Sequence, residues 1–189
     1  MNYKSNINKD LEIVESTRDI VYCKKDLLNK FESFINCSGF GIDKWIKKDN
    51  VPYEVLLRNN KGNTFRIVVY LKNISSAGWN EKPYMKRVQV NNVRIVSPDS
   101  FIYTEQAQTF MILGYYDFDN NPIMVGWNAY KYVMHKTLRS CYVGIENLLE
   151  GYKNGYHKCI ISKQMVWIFT SSNFELFLED YIKTNKIED

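Results

Sequence analysis

Two pairs of β-patterned segments, each closed by a run of turn-forming residues, confine this chain to a fold built around a sheet. Residues 53–58 and 65–72 are rich in Val, Leu, Ile and Tyr and flank Asn59-Asn60-Lys61-Gly62-Asn63. Turn formers between two such runs predict a β-hairpin. Residues 108–115 and 123–127 repeat the arrangement around Asp117-Phe118-Asp119-Asn120-Asn121-Pro122, which predicts a second hairpin with both acids on a solvated turn. Residues 85–96, 156–161 and 164–170 have the same β-rich character.

Three other segments follow the helical period. Asp26 caps a run whose apolar residues are Leu27, Phe31, Phe34 and Ile35, and Ser38-Gly39 stops it. Ile145, Leu148, Leu149 and Tyr152 form a second stripe, ended by Gly155. In the third, Phe174, Phe177, Leu178, Tyr181 and Ile182 make one apolar face behind Ser172-x-x-Glu175, a capping box. The expectation is an α+β fold, mostly antiparallel sheet with helices near both termini. The 189 residues contain no Pro/Gly-rich linker and no internal repeat, so a single domain is expected over 1–189. It divides into an N-terminal helical segment, 1–50, and a β-rich core with the C-terminal helix, 51–184.

Composition removes several classes. At 45% apolar and 15% aromatic residues the chain can build a core and is not a disordered one. No apolar run approaches the roughly 18 residues of a membrane span, and Met1-Asn2-Tyr3-Lys4-Ser5-Asn6 does not open a secretory signal. A cytoplasmic location with no membrane partner follows as the expectation. Cys23, Cys37, Cys141 and Cys159, none at C-x-x-C spacing, are then expected as free buried thiols. His135 and His157 complete no zinc spacing, so no metal is expected.

Enzyme motifs are missing. There is no P-loop, no dinucleotide fingerprint and no nucleophile elbow. No acid is followed two residues later by Lys, as one common nuclease metal site requires, and two histidines are too few for an HNH finger. A divergent magnesium site would lie among Asp99, Glu105, Asp117 and Asp119.

What the sequence does carry is clustered charge. The formal net charge is only +4, yet residues 82–98 and 120–145 contain no acid. The first stretch holds Lys82, Lys86, Arg87 and Arg94, with Trp79 and Tyr84 beside it. The second holds Lys131, Lys136 and Arg139 among Trp127, Tyr130, Tyr132 and Tyr142. Cations attract phosphates, and aromatic faces stack on bases. Strand alternation then points Val88 and Val90 toward a core and Arg87, Gln89 and Asn91 the other way. Arg can pair with guanine, and Gln or Asn with adenine, in a major groove. A polar solvent face produces the same alternation.

Four segments carry a family resemblance. Phe65-Arg66-Ile67-Val68-Val69-Tyr70-Leu71-Lys72-Asn73 is similar to a strand ending in Asn, and Lys86-Arg87-Val88-Gln89-Val90 to an R-I-Q strand. Leu113-Gly114-Tyr115-Tyr116-Asp117 with Val125-Gly126-Trp127-Asn128 is similar to an L-G hairpin. His135 with Arg139-Ser140-Cys141-Tyr142-Val143 is similar to a histidine followed by a serine-rich segment. In this order they resemble the DNA-recognition domain of bacterial restriction–modification proteins, often found N-terminal to HNH-type restriction endonucleases. Met85 and Lys86 stand where that family usually has acids, and no nuclease half accompanies the likeness.

The resemblance implies sequence- or modification-specific binding of double-stranded DNA within a restriction–modification system. Asn73, His135 and Ser140 come from its motifs. Lys82, Lys86, Lys131, Lys136 and Arg139 are the expected phosphate anchors, and Arg87, Gln89 and Asn91 the expected base contacts. Trp79 or Tyr132 is expected to stack on an exposed base. A separate nuclease or methyltransferase subunit, or a homodimer, fits the same context. Two alternatives stay open: a compact restriction endonuclease using Mg²⁺ at the divergent acids, and a protein-interaction subunit of such a system.

Overall fold

Residues 67–71 and 110–113 are apolar at consecutive positions, so a sheet containing them needs cover on both faces. The computed structural model describes residues 4–16, 18–90, 108–134 and 140–185. In it a seven-stranded sheet is formed by β3 (Phe40–Lys47), β4 (Tyr53–Asn59), β5 (Thr64–Asn73), β8 (Gln108–Phe118), β9 (Asn121–Asn128), β11 (Tyr156–Ile161) and β12 (Gln164–Phe169). Its order is β11-β12-β9-β8-β5-β4-β3. Every neighbouring pair is antiparallel except β5 with β8, which run parallel from Arg66 opposite Gln108 to Asn73 opposite Tyr115. The mixed, mostly antiparallel α+β fold agrees with the expectation from the sequence.

One face of the sheet is covered by α1 (Lys24–Cys37) and α4 (Phe174–Thr184). Phe31, Phe34, Ile35, Phe174, Phe177 and Tyr181 meet Ile67, Val69, Met111, Leu113 and Trp167 there. The other face is covered by α2 (Ala129–Met134), α3 (Ile145–Asn154) and a second sheet. This small antiparallel sheet has the order β10-β7-β6, with β6 at Ser75–Ser76, β7 at Met85–Gln89 and β10 at Ser140–Gly144. A two-stranded ribbon of β1 (Lys4–Ile7) and β2 (Ile13–Ser16) completes the described elements, with Ile7 buried in the second core.

The small sheet exists because two parallel neighbours cannot be joined by a tight turn. Between β5 and β8 the chain crosses to the second face, where it builds β6 and β7. Gly114 makes the close approach: a Cβ there would lie 2.6 Å from Ile74 Cγ1 and 2.8 Å from Val88 Cγ2. Gly126 does the same on the opposite face, where a Cβ would lie 2.6 Å from Phe177 Cε2. These are the two glycines of the L-G hairpin motif, and packing accounts for both.

Several expectations are corrected. Among the described residues, the first 50 contribute three strands as well as a helix. The β8–β9 turn is only Asp119-Asn120, both at positive φ (50° and 62°), so Asp117 belongs to a strand and is buried. The capping box does not form: Ser171–Asn173 is a 3₁₀ turn, and Glu175 accepts from Asn59 Nδ2 at 2.8 Å and Lys61 Nζ at 3.1 Å. Cys23 and Cys37 are free but exposed, since they sit at the two ends of α1. The strand expected over 85–96 is described only to Gln89, and residues 91–96 lie outside the described residues.

Candidate nucleic-acid interface

The two acid-free stretches meet in the small sheet. β7 and β10 pair antiparallel, with Gln89 opposite Ser140 and Arg87 opposite Tyr142. On its other edge Arg87 faces Ser75 of β6. Val88, Cys141 and Val143 point inward and are buried, so alternation turns Arg87, Gln89, Ser140 and Tyr142 outward as one face. Gln89 is exposed and Arg87 half-buried. No carboxylate pairs with Arg87 among the described residues.

Trp79 extends this face. It lies in the turn between β6 and β7, which closes with Lys82 N–H to the Trp79 carbonyl at 3.2 Å and Met85 N–H to the Lys82 carbonyl at 3.0 Å. Its ring is 41% exposed and lies 4.8 Å from that of Tyr142, tilted by 30°. Lys82 Nζ sits 5.9 Å from the Trp79 ring centre, within cation–π range. Tyr84 is exposed nearby in the chain. Tyr142 was not among the expected contact residues, although β10 alternation finds it by the same rule that found Arg87.

Lys86 is corrected from anchor to structural ion. The alternation that buries Val88 buries Lys86 as well, and it is 0% exposed. Its ammonium donates to Asp19 Oδ1 at 2.5 Å and Asn6 Oδ1 at 2.6 Å. Asp19 also accepts the Ser76 N–H at 2.9 Å and lies 3.4 Å from Lys4 Nζ. Burial raises the Asp19 pKa, but these donors and the two lysine charges outweigh it and hold the carboxyl below its usual range. Burial lowers the Lys86 pKa, and Asp19 offsets part of that. The pair fastens Asn6 and Asp19 beneath the small sheet.

Tyr132 and Asn73 are corrected in the same way. Tyr132 is buried, and its hydroxyl donates to Gln164 Oε1 at 2.6 Å, so no ring face is free for a base. Asn73 grips the Tyr22 backbone in both directions, accepting its N–H at 2.9 Å and donating to its carbonyl at 2.9 Å. That explains an Asn at the end of β5 without any ligand. Lys131 is exposed on α2. Asn91, His135, Lys136 and Arg139 lie outside the described residues, as does Arg94. Among the described residues no three His, Cys, Asp or Glu side chains gather to hold a metal. Asp117 is occupied by Tyr22 and Lys30, and Asp99 and Glu105 lie outside the described residues.

The model of the methylase-associated X1 family matches residues 65–178, more than half of the chain. The chain belongs to the methylase-associated X1 family. The matched stretch runs from β5 into α4 and so contains the crossover, the small sheet and both packing glycines. Membership in methylase-associated X1 sets the chain in a restriction–modification context and agrees with the resemblance at that level. Neither a curated protein nor a solved structure matches the chain. No helix among the described residues is long and apolar enough to cross a membrane.

Proposed function

We propose that the chain binds double-stranded DNA as the recognition component of a methylase-associated restriction–modification system, with the outer face of the small sheet as its contact surface. The observation that carries this is the outward pair Arg87 and Gln89 on one strand, beside Tyr142 and Trp79, with no carboxylate among the described residues engaging the guanidinium. Arg87 supplies the bidentate contact to guanine and Gln89 the contact to adenine. Lys82 and Lys131 add phosphate contacts, which make the affinity fall with salt. A methyltransferase acting at the same site is the natural partner. The exposed Trp79 and Tyr84 favour a second use of this face, as a protein contact to that enzyme.

Selection of bound sequences from a random DNA pool, with and without methylation, tests the reading. Arg87→Ala is expected to relax one base pair of the selected site, at a loss of roughly 1–3 kcal/mol. Lys82→Ala is expected to weaken all sequences about equally and to flatten the salt dependence. Absence of DNA binding at low salt, together with capture of the methyltransferase, transfers the face to the second reading.

A further inference from the structure

The large sheet ends in β3 on one side and β11 on the other, and an unpaired strand is a template for another. The two edges are built differently. Along β3 the pairing with β4 slips at Ile42/Lys44 and again at Trp45/Lys47, and Asp43, Lys44 and Lys47 are exposed. Broken register and charge keep an edge from pairing. β11 has neither device. It pairs with β12 without a break, from Tyr156 opposite Phe169 to Ile161 opposite Gln164. Its one lysine, Lys158, is held by Asp180 at 2.8 Å, and Ile160 is 70% exposed.

The register also fixes which backbone groups are free. The Thr170 N–H donates to the Gly155 carbonyl at 2.9 Å, one step beyond the Tyr156–Phe169 pair. Antiparallel ladders alternate bonded and non-bonded pairs, so His157, Cys159 and Ile161 direct their N–H and C=O groups to β12. Those of Tyr156, Lys158 and Ile160 turn to the open edge, where no strand among the described residues takes them. The same three side chains share the face covered by α4, since Tyr156 and Lys158 both donate to Asp180. Thr184, one turn beyond Asp180, lies 3.4 Å from Lys158 Nζ, so α4 runs beside β11 in the same direction. Leu176, one turn before Asp180 on that stripe, is 46% exposed. The edge therefore carries an exposed aliphatic residue toward each end, Leu176 toward Tyr156 and Ile160 at the other, with a balanced ion pair between them. A twofold axis through the middle of the strand lays each end against the opposite end of an identical edge, so the pattern is complementary to itself.

We propose that β11 pairs antiparallel with β11 of a second copy of the chain, about a twofold axis at Lys158, joining the two large sheets into one. Tyr156 then faces Ile160 of the other copy, an aromatic–β-branched pair of the kind that stabilises antiparallel strands, and Ile160 comes toward Leu176 of that copy. Each outward N–H of the three residues meets a carbonyl. The two Lys158 side chains meet at the axis, each already balanced by its own Asp180. The pairing uses none of the residues proposed to contact DNA, and its test contains no DNA. Sedimentation velocity of the full chain at rising concentration is expected to show a monomer passing into a dimer. Ile160→Pro removes an outward N–H and leaves the β12 ladder whole, because proline is tolerated where an edge N–H faces solvent. It is expected to abolish the dimer with the thermal midpoint little changed. Ile160→Lys, at a side chain already in solvent, is expected to weaken the dimer by about tenfold or more. His157→Cys, in a Cys23→Ser, Cys37→Ser background, reads the register: position 157 lies opposite Cys159 of the second copy in a non-bonded pair, about 4.5 Å between Cα atoms and within disulfide reach. Mild oxidation is expected to give a covalent dimer on a non-reducing gel. A chain that stays monomeric at every concentration overturns the proposal, whether or not β11 then pairs with another protein. A dimer that survives both Ile160 variants, or that gives no cross-link, overturns it as well.

Discussion

Lys86→Met removes a buried ammonium while keeping most of the side chain's volume, so it isolates the ion pair beneath the interface. Asp19, only 5% exposed at its side chain, would be left with the Ser76 N–H and with Lys4 at 3.4 Å. Breaking one side of a buried pair costs about 3–5 kcal/mol, because the remaining charge stays desolvated. The surviving Lys4 contact places the expected loss toward the lower end of that range. Against a total stability of about 5–15 kcal/mol this is a large change. Urea denaturation at neutral pH measures it. Asp19→Asn is expected to be destabilising too, and the double variant less so than the sum, since neither charge is then orphaned. The DNA assay separates this role from the rejected one. A phosphate anchor would leave stability alone and lower the salt slope by about one when removed. A Lys86→Met protein within about 1 kcal/mol of the parent, with a reduced salt slope, would refute the structural assignment.

Two further predictions concern the opposite face of the large sheet. Gly126→Ala puts a methyl 2.6 Å from Phe177, which is fully buried and stacked on Phe169 at 4.0 Å, so a loss of about 1–3 kcal/mol is expected. Gly41→Ala, with nothing within 4 Å of the new Cβ, is the control, and equal thermal midpoints for the two would contradict the packing argument. Asp180 supplies a pH dependence. Burial raises its pKa, but donation by Lys158, Tyr156 and Trp167 wins and brings it from 3.8 to about 2. A depressed folded pKa stabilises fully above the unfolded value, so this contribution is lost as pH falls from about 3.8 toward 2. Asp180→Asn is expected to destabilise at neutral pH and to flatten the acid limb of a stability–pH curve in that window; an unchanged acid limb would assign the loss to other carboxylates.

Local patterning made much of the fold legible. The two hairpins, the helical stripes of Phe31 and Phe177 and the alternation of β7 all depend on neighbours within a few residues, and they appear near their expected positions, the second hairpin with a shorter turn. The failures depend on distant partners. Glu175 leaves its capping role for Asn59, 116 residues away. Residues 4–22 have no clear periodicity because long-range bonds hold them: Asp19 to Lys86, Tyr22 to Asn73, Asn6 to Lys86. The charge of Lys86 points outward, but its position on the strand does not. Its parity with Val88 was visible in the sequence and already placed it inside. The burial of Asp117 was not visible, since it depends on β8 running past the expected turn to place the carboxylate under Tyr22 and Lys30.

The crossover also explains how the proposed interface would sit on a strand rather than on a loop. Most of the covering elements spend their inner surface on the core, and β7 does so through Lys86 and Val88, with Val90 buried just after it. Arg87 and Gln89 of β7, with Ser140 and Tyr142 of β10, face away from that packing, so replacing them is expected to disturb the layers below little. The β7 backbone is nevertheless fixed on both edges, by β6 and β10, and from beneath by the Lys86–Asp19 pair and by Ile74 and Val88 seated on Gly114. Side chains on strands held in this way are positioned more closely than side chains on loops. The proposed recognition surface would need that combination, because base discrimination depends on hydrogen-bond geometry while new specificities require the contact residues to vary. The separation of roles by alternation along a single five-residue strand provides it.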